Sequence, residues 1–571
     1  MKYVRRFLKS FPEVSESSAA ENLVRLAREG GTLGAFRATA PTALEDTYFF
    51  FGDLLTGKYH FSQDLKAFFG LPPEKPFLAV TELADRMPNE VDRRLRDKAI
   101  RALIDGAPQM VEHFRVKIDG HVYWVCTRCA RIYSNKKDSI YVCGSIEFSS
   151  DQRILTELFQ FTQNGEQLQA VLRMLMHAAP GSRPIVLDLS SSMEFGREDI
   201  VNLVAQRMSQ SNASTESVLD ACVSCRHSLV ALLKPEVSDG TGEVQKLLAD
   251  ELDAIGLPRS LWSEPKIFEP VQDAAHRTAG MLEVIRFLEP SAEPECDEKL
   301  LTLSEALELF TCIKNDFSGF ELQFQPIVSQ REKTVCAGEL LIRFRAPNLK
   351  LGPQKFIPIL EKTAFAIPLG RWTFEEAIRA ASALGAEHED LRIGFNVSPI
   401  QLDDPLYYNF MMQSLRLAGI SAKRFIIEIT EASEVRSIES LSQFLHKCRG
   451  SGMKTAIDDF GSGYNSLEIL LGAPFDEVKF GRTLTTKALR SRESMAFFGR
   501  LIEACRALGV TTCVEGVELP EELERLDELA PDLYQGWFFS RPLRIEDAVG
   551  HLVMRRPDST HFHPNLINSN N

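Results

Sequence analysis

From residue 320 onward, short apolar runs alternate with segments in which apolar residues return every three or four positions. The runs ELQFQPIV, TVCAGELLIRF, LRIGFNVS, RFIIEIT, MKTAIDD, FDEVKF, VTTCVEG and DLYQGWFF read as eight strands. Between them, Ile438, Leu441, Phe444, Leu445 and Cys448 keep helical spacing, as do Phe498, Leu501, Ile502 and Cys505. Strand-helix repetition over roughly 230 residues predicts a TIM-like (β/α) barrel.

The upstream half has a different texture. Residues 45–150 carry aromatic strands at both ends, YFFFGDLLTGKYHFS first and EHFRVKIDGHVYWV with SIYVCGSIEF last. Lys117-Ile118-Asp119-Gly120 joins two alternating segments, a hairpin signal, so an α+β unit is expected. Residues 151–290 mix helical patterns with the apolar strand PIVLDLS, as expected of an α/β unit. Residues 31–47 are rich in Gly, Ala and Thr, Ser149 to Gln152 is a polar junction, and EPSAEPECDE (289–298) is a Pro/Glu linker. The chain therefore divides into a helical or linker segment (1–44), two domains (45–150 and 151–290), a linker (291–300), the barrel (301–556) and a disordered tail (557–571). The fold class is α/β multidomain.

At 571 residues the chain exceeds a single core. Its net charge of -14 opposes broad nucleic-acid binding, which needs a basic surface. No stretch approaches the ~20 apolar residues of a membrane span, and MKYVRRFLKSFPE lacks the apolar run of a signal peptide. A cytoplasmic protein is the expectation. Eleven cysteines then read as reduced thiols. Cys126 and Cys129 fall on a strand, where positions three apart face opposite ways, and Cys222 and Cys225 lie in an apolar stretch; neither pair suits a zinc site. His561 and His563 belong to a solvated tail.

The barrel's polar residues change the picture. Asn396, Glu428, Asp458 with Asp459, Lys479, Glu515 and Gln535 sit in or just after the apolar cores of six strands, and Glu339 lies inside the second. The carboxyl ends of barrel strands converge on one mouth, where the active sites of this fold lie. So many carboxylates there would repel one another unless cations neutralise them. Oxygen-only ligands suit Mg²⁺ or Mn²⁺ rather than zinc.

These residues lie in a series of motifs: QPI (325–327), Glu339-Leu340-Leu341-Ile342-Arg343, FNVSPIQL, EITE (428–431), IDDFGSGYNSL (457–467), VEGVE (514–518) and QGWFFSRPL (535–543). In order and content they resemble the EAL family of cyclic di-GMP phosphodiesterases. The resemblance implies two metal ions, the first held by Glu339, Asn396, Glu428 and Asp458, with Asp458 bridging to a second that Asp459 and Glu515 complete. It implies that Gln325, Leu341 and Arg343 contact the dinucleotide, that Glu518 lines its pocket, and that Gln535 contacts or positions the reacting groups. Lys479 would orient the attacking water, giving linear pGpG. Glu431 would anchor the DFGSGYNSL loop, and a homodimer is the family expectation. Two departures stand out. Leu340 replaces an alanine, and Lys479-Phe480-Gly481 replaces Lys-Ile-Asp. On a strand, residue 481 would share the face of Lys479, so Gly481 removes a carboxylate from beside the lysine. The alternative reading is therefore a cyclic di-GMP receptor with little or no turnover.

The domain at 45–150 resembles a PAS sensor, whose ligand is not readable here; His60, His113 and His121 are the candidate contacts, and protein partners are a further expectation. The domain at 151–290 resembles a degenerate GGDEF domain: Asp188 matches a metal-ligand aspartate, but Cys225-Arg226-His227-Ser228-Leu229 lacks the glycines and carboxylates that cyclase chemistry needs.

Overall fold

The computed structural model describes residues 47–553 with internal breaks; residues 1–46 and 554–571 lie outside it, as do internal stretches of which the longer are 67–77, 133–139, 189–196, 210–217, 251–262, 289–299, 431–436 and 462–465. The expected leading segment, the Pro/Glu linker and the tail fall there. Contacts divide the chain into two compact units, one taking residues up to 148 with 319–345 and 360 onward, the other taking 149–318 and 346–359.

The first unit contains two sheets. Strands β1 (Thr47–Asp53), β2 (Lys58–Phe61), β3 (Leu78–Ala79), β4 (Gln109–Ile118), β5 (His121–Ile132) and β6 (Tyr141–Phe148) form an antiparallel sheet in the order β3-β2-β1-β6-β5-β4. Ile118 pairs with His121, the register that the Lys-Ile-Asp-Gly signal predicts for a hairpin; Asp119 and Gly120 themselves lie outside the described residues. Helix α1 (Glu90–Ile104) packs on β4. It starts at Asn89, whose side chain accepts from the backbone N–H groups of Val91 and Asp92 at 2.8 and 3.3 Å. Phe50, Phe114, Val116, Val125 and Ile146 fill the core between them.

The second sheet is the barrel: β11 (Phe320–Ser329), β12 (Val335–Ala346), β14 (Arg392–Asn396), β15 (Phe425–Thr430), β16 (Lys454–Phe460), β17 (Glu477–Phe480), β18 (Thr511–Val514) and β19 (Leu533–Gln535). It closes through β11, which pairs with both β12 and β19. All eight predicted runs contain a strand. Seven are mutually parallel, while β11 is antiparallel to both neighbours. The reason is the link: residues 330–334 suffice for a hairpin and are too few for a crossover helix. The last run makes a shorter strand than predicted. Past Gln535 the chain folds back on the residues after β18, with Val517 N–H donating to the Gln535 carbonyl at 3.2 Å and Phe538 N–H to the Val517 carbonyl at 3.0 Å. Helices α9 (Ile438–Gly450) and α11 (Arg492–Ala507), preceded by α7 (Ala366–Leu384), α8 (Tyr407–Ala418) and α10 (Arg482–Ala488), bury Leu441, Phe444, Leu445 and Cys448, and Phe498, Ile502 and Cys505, at the predicted spacing; Ile438 and Leu501 are only half-buried.

In the second unit, β7 (Arg183–Asp188), β8 (Leu219–Cys225), β9 (Ser228–Leu233) and β10 (Lys266–Ile267) form an antiparallel sheet ordered β10-β7-β9-β8. Helices α3 (Gly165–Met176) and α4 (Arg197–Ser209) pack on β8, and the short strand β13 (Leu349–Leu351) packs with α6 (Leu303–Lys314); α2 (Asp151–Phe159) packs against α3 and α6, and α5 (Ala274–Phe287) against α3. The β8–β9 hairpin pairs Cys225 with Ser228, and the Ser228 hydroxyl donates to Asp188 Oδ1. Ile185, Leu187, Val204, Leu229 and Ala231 form its core.

No described helix is long and apolar enough to cross a membrane. The ten described cysteines are free thiols.

Candidate functional site

The barrel interior is built in layers. Ala337, Ile426, Ala456, Cys513 and Leu533 pack with Ile327 into an apolar plug. Each of the first five stands two residues before a polar one: Glu339, Glu428, Asp458 and Gln535 on the same strand face, and Glu515 just past the end of β18. On the reversed strand β11 the order inverts, and Gln325 precedes Ile327. Period-two alternation therefore sets a ring of polar groups directly above an apolar floor. Glu477 is the exception. It stands two residues before Lys479, is 3% exposed, and burial pushes its carboxyl up to about 7.

Lys479 lies at the centre, fully buried. Its Nζ is 2.7 Å from Glu428 Oε2, 2.8 Å from Glu339 Oε2, 2.8 Å from Glu515 Oε1 and 3.2 Å from Asp458 Oδ1. Three amides brace this cluster. Asn396 Nδ2 donates to Glu339 Oε1 at 2.9 Å, Gln535 Nε2 donates to Glu339 Oε2 at 2.8 Å and to Gln325 Oε1 at 3.2 Å, and Gln325 Nε2 donates to the Ser540 carbonyl at 3.2 Å. The site also depends on Gly394 of β14. A Cβ there would lie 1.8 Å from Glu428 Oε1, so the absent side chain leaves the space that the carboxylate fills.

One lysine cannot hold four carboxylates equally. Burial acts to lower the Lys479 ammonium, but Asp458, Glu339, Glu428 and Glu515 outweigh it and hold the group well above its ordinary range. Burial also raises Glu339, yet the Lys479 charge and hydrogen bonds from Lys479, Gln535 and Asn396 bring it below its ordinary value. Glu428 and Glu515, with fewer donors, are pushed well up by burial against the pull of Lys479, and Asp458 is raised for the same reason. With Asp459, the ring holds five carboxylates against one lysine. Full ionisation leaves an excess of four negative charges, which two divalent cations would cancel.

The donor set fits such ions. Glu339, Glu428 and Asp458 each offer an oxygen within 4.8 Å of the other two. Asn396 Oδ1 and Gln535 Oε1 are buried acceptors without a hydrogen-bond partner, and Asp458 Oδ1 meets only the Lys479 ammonium, at 3.2 Å. All donors are oxygen, the chemistry of Mg²⁺ or Mn²⁺.

Other predicted residues surround this centre at different distances. Leu341 and Arg343 continue the face of Glu339 along β12 and are half-buried, so a path leads outward from the cluster along one strand. The β16–β17 pairing shifts register between Ile457 and Phe460, and Asp459 takes a positive φ of 52°. That irregularity turns Asp459 out to solvent while Asp458 stays inside. Glu518 pairs with Arg482, Nη1 to Oε1 2.8 Å, a partner the sequence pattern did not suggest. Glu431 and residues 462–465 of the loop it was expected to anchor lie outside the described residues.

The expectation for Gly481 needs correcting. Strand β17 ends at Phe480, and Gly481 is the N-cap of α10. A Cβ at 481 would lie 2.3 Å from Asp459 Oδ1, so a side chain here meets Asp459. Gly481 therefore lies past the strand face of Lys479, and the group against its missing Cβ is the Asp459 carboxylate. Gly394, Glu477 and Arg482 are the residues that reasoning from sequence missed; the alternation of β17 pointed to Glu477, and nothing local pointed to the other two.

A closed barrel with this buried oxygen-donor ring defines a candidate metal-dependent site. Comparison with known proteins agrees with that class and narrows it: residues 307–542 match the family model described as the EAL domain. The cyclic di-GMP phosphodiesterase NbdA of Pseudomonas aeruginosa is 32% identical over 240 residues, 42% of this chain and 30% of that protein. The cyclic di-GMP phosphodiesterase RocR of the same organism is 30% identical over 229 residues, 40% of this chain and 58% of that protein. Among solved structures, the PaMucR phosphodiesterase in complex with c-di-GMP is 26% identical, with 42% of this chain and 99% of that one covered at a TM-score of 0.40. The chain thus spans less than two thirds of these curated relatives' own length.

Proposed function

We propose that this protein hydrolyses cyclic di-GMP to linear pGpG at the barrel mouth. The observation that carries the reading is the buried ring of Glu339, Glu428, Asp458 and Glu515 around Lys479 within a segment that matches the EAL domain. Glu339, Asn396, Glu428 and Asp458 would hold one divalent ion, and Asp458, Asp459 and Glu515 a second. Such a pair supplies charge neutralisation at the scissile phosphate and an activated water. The protein's own groups do the rest. Gln535 and Asn396 fix the Glu339 carboxylate through hydrogen bonds to its two oxygens. Lys479 holds its proton and places positive charge where negative charge develops. Arg343 and Leu341, further along β12, would meet a phosphate and an apolar edge of the dinucleotide, with Gln325 beside Glu339 and Glu518 at the rim. The 45–150 region would act as a PAS-like sensor and 151–290 as a degenerate GGDEF-like domain, where the Ser228–Asp188 hydrogen bond supports loss of metal chemistry. We read the working form as a homodimer.

Purified full-length protein with Mn²⁺ or Mg²⁺ is expected to convert cyclic di-GMP to pGpG, followed by chromatography, with Glu339→Ala inactive. Absence of product, together with absence of binding at about 100 µM in Ca²⁺, a weak affinity for any formed site, would sink the assignment.

A receptor that binds without turnover is the second reading. The geometry at 481 yields a sharp test. Gly481→Asp brings a second carboxylate beside Asp459, whose Oδ1 must give way to the new Cβ. Mn²⁺ affinity is expected to rise about ten-fold because the added charge needs neutralising, with hydrolysis rising alongside it. Calorimetry showing weaker Mn²⁺ binding would mean that the new carboxylate merely displaces Asp459.

A further inference from the structure

Between Gln535 and Arg541 the chain makes a tight turn at the barrel mouth. Phe539 N–H and Ser540 N–H both donate to the Gly536 carbonyl, at 3.1 and 3.2 Å, and Phe538 N–H donates to the Val517 carbonyl at 3.0 Å. Gly536 lies so close to the loop after β18 that a Cβ there would stand 2.1 Å from the Val517 carbonyl oxygen. Both ends of the turn rest on one residue of the site. Gln535 Nε2 donates to Gln325 Oε1, and the Ser540 carbonyl accepts from Gln325 Nε2, each at 3.2 Å. Aromatic packing stiffens the turn: the Tyr534 and Phe539 rings stack at 6.0 Å, and Phe538 meets Phe539 edge-on at 5.1 Å. Trp537 is the exception. It is 50% exposed although Gly536, Phe539 and Ser540 around it are buried. The Arg541 guanidinium lies over its ring, 4.8 Å from the centroid.

An indole carries one of the largest apolar surfaces of any side chain, and folding normally buries most of it. Here a stiff turn holds it out, two residues from the amide that donates to Glu339. The cation over one face restrains the ring without enclosing it. On the reading of the mouth as a cyclic di-GMP site, on which this inference rests, the ions and Arg343 serve the phosphates and Leu341 an apolar edge. None of these groups offers an aromatic face to a purine. We propose that Trp537 is the stacking platform for one guanine base of cyclic di-GMP, with the base on the indole face that Arg541 leaves open. Stacking on an aromatic side chain holds an unpaired base, and a ring already fixed in place loses little freedom when the base arrives. The contact is made equally in the ground state and the transition state, so it acts on KM rather than on kcat.

Full-length protein in Ca²⁺ would be titrated with cyclic di-GMP by calorimetry and by indole fluorescence. A stacked base should quench Trp537 emission with the calorimetric midpoint. Trp537→Phe, which keeps a ring for stacking, should bind within about three-fold of wild type yet lose the quenching, although Trp124, Trp262 and Trp372 remain. Trp537→Ala should weaken binding about ten-fold. With Mn²⁺ it should raise KM by a similar factor while kcat stays within about two-fold. Wild-type binding that Trp537→Ala leaves unchanged overturns the inference and leaves the dinucleotide site standing. So does quenching that persists in Trp537→Phe, or a Trp537→Ala protein that binds normally but sediments as a smaller species, which would make the indole a contact between two copies. A wild-type chain that shows no binding at all sinks the site and the platform together.

Discussion

Replacing Lys479 with Met is expected to destabilise the metal-free protein by roughly 3–5 kcal/mol, the range for removing one partner of a buried ion pair. Nζ is the shared counter-charge of Glu339, Glu428, Asp458 and Glu515, all within 3.2 Å of it. Without it the carboxylates must take up protons or repel one another in a site sealed below by Ile426, Ala456 and Cys513. Divalent ions would supply the missing positive charge. Chemical denaturation in EDTA should therefore show the full loss, and denaturation in excess Mn²⁺ a much smaller one. Equal losses in both would mean that the ions do not bind among these carboxylates. Hydrolysis should fall in the variant even where Mn²⁺ restores the fold, because the proton-bearing group is gone, while binding of cyclic di-GMP in Ca²⁺ is largely retained.

Asp458→Asn should separate activity from stability in the opposite sense. The substitution keeps the shape and removes the one carboxylate proposed to touch both ions. Turnover is expected to fall by roughly 10³-fold or more, the upper scale for losing one charge-stabilising contact in a transition state, and Mn²⁺ affinity should fall with it. The metal-free protein should be as stable as wild type or more so. Burial raises Asp458, and Glu339 and Asp459 add repulsion, so its ionised form is a strained member of the ring. A group whose folded-state value is raised stabilises below its unfolded value and loses that contribution as pH rises. The gain from Asn should accordingly grow in EDTA as pH rises above the ordinary carboxylate range, about 4. A clear loss of stability at pH 8 would show that Asp458 is held favourably by Lys479 and that the picture of an overcrowded ring is wrong.

The layered barrel shows why so much was legible beforehand. Alternation along a strand is local, so Ala337 with Glu339, Ile426 with Glu428 and Ala456 with Asp458 can be assigned to one face from spacing alone. Convergence of those faces follows from closing the sheet, and strand-helix repetition implies that closure. The same argument reached the amides Asn396 and Gln535, because each ends its strand.

Other features depended on contacts between residues far apart in the chain. Gly394 is needed because Glu428, 34 residues later, fills the space beside it. Gly481 reads as a deletion until Asp459 is found against it, placed there by a register shift that no local pattern encodes. Arg482 meets Glu518 only through the packing of α10 at the rim. Spacing and chemical type by themselves determined the strands, the faces and the oxygen-donor character of the ring, since these follow from backbone period and side-chain chemistry. Tertiary structure alone decided which carboxylate receives the most hydrogen bonds, what stands in the gap at 481, and that the turn carrying Trp537 rests at both ends on Gln325. Those outcomes turn on distances of a few ångströms between segments whose separation along the chain carries no information about them.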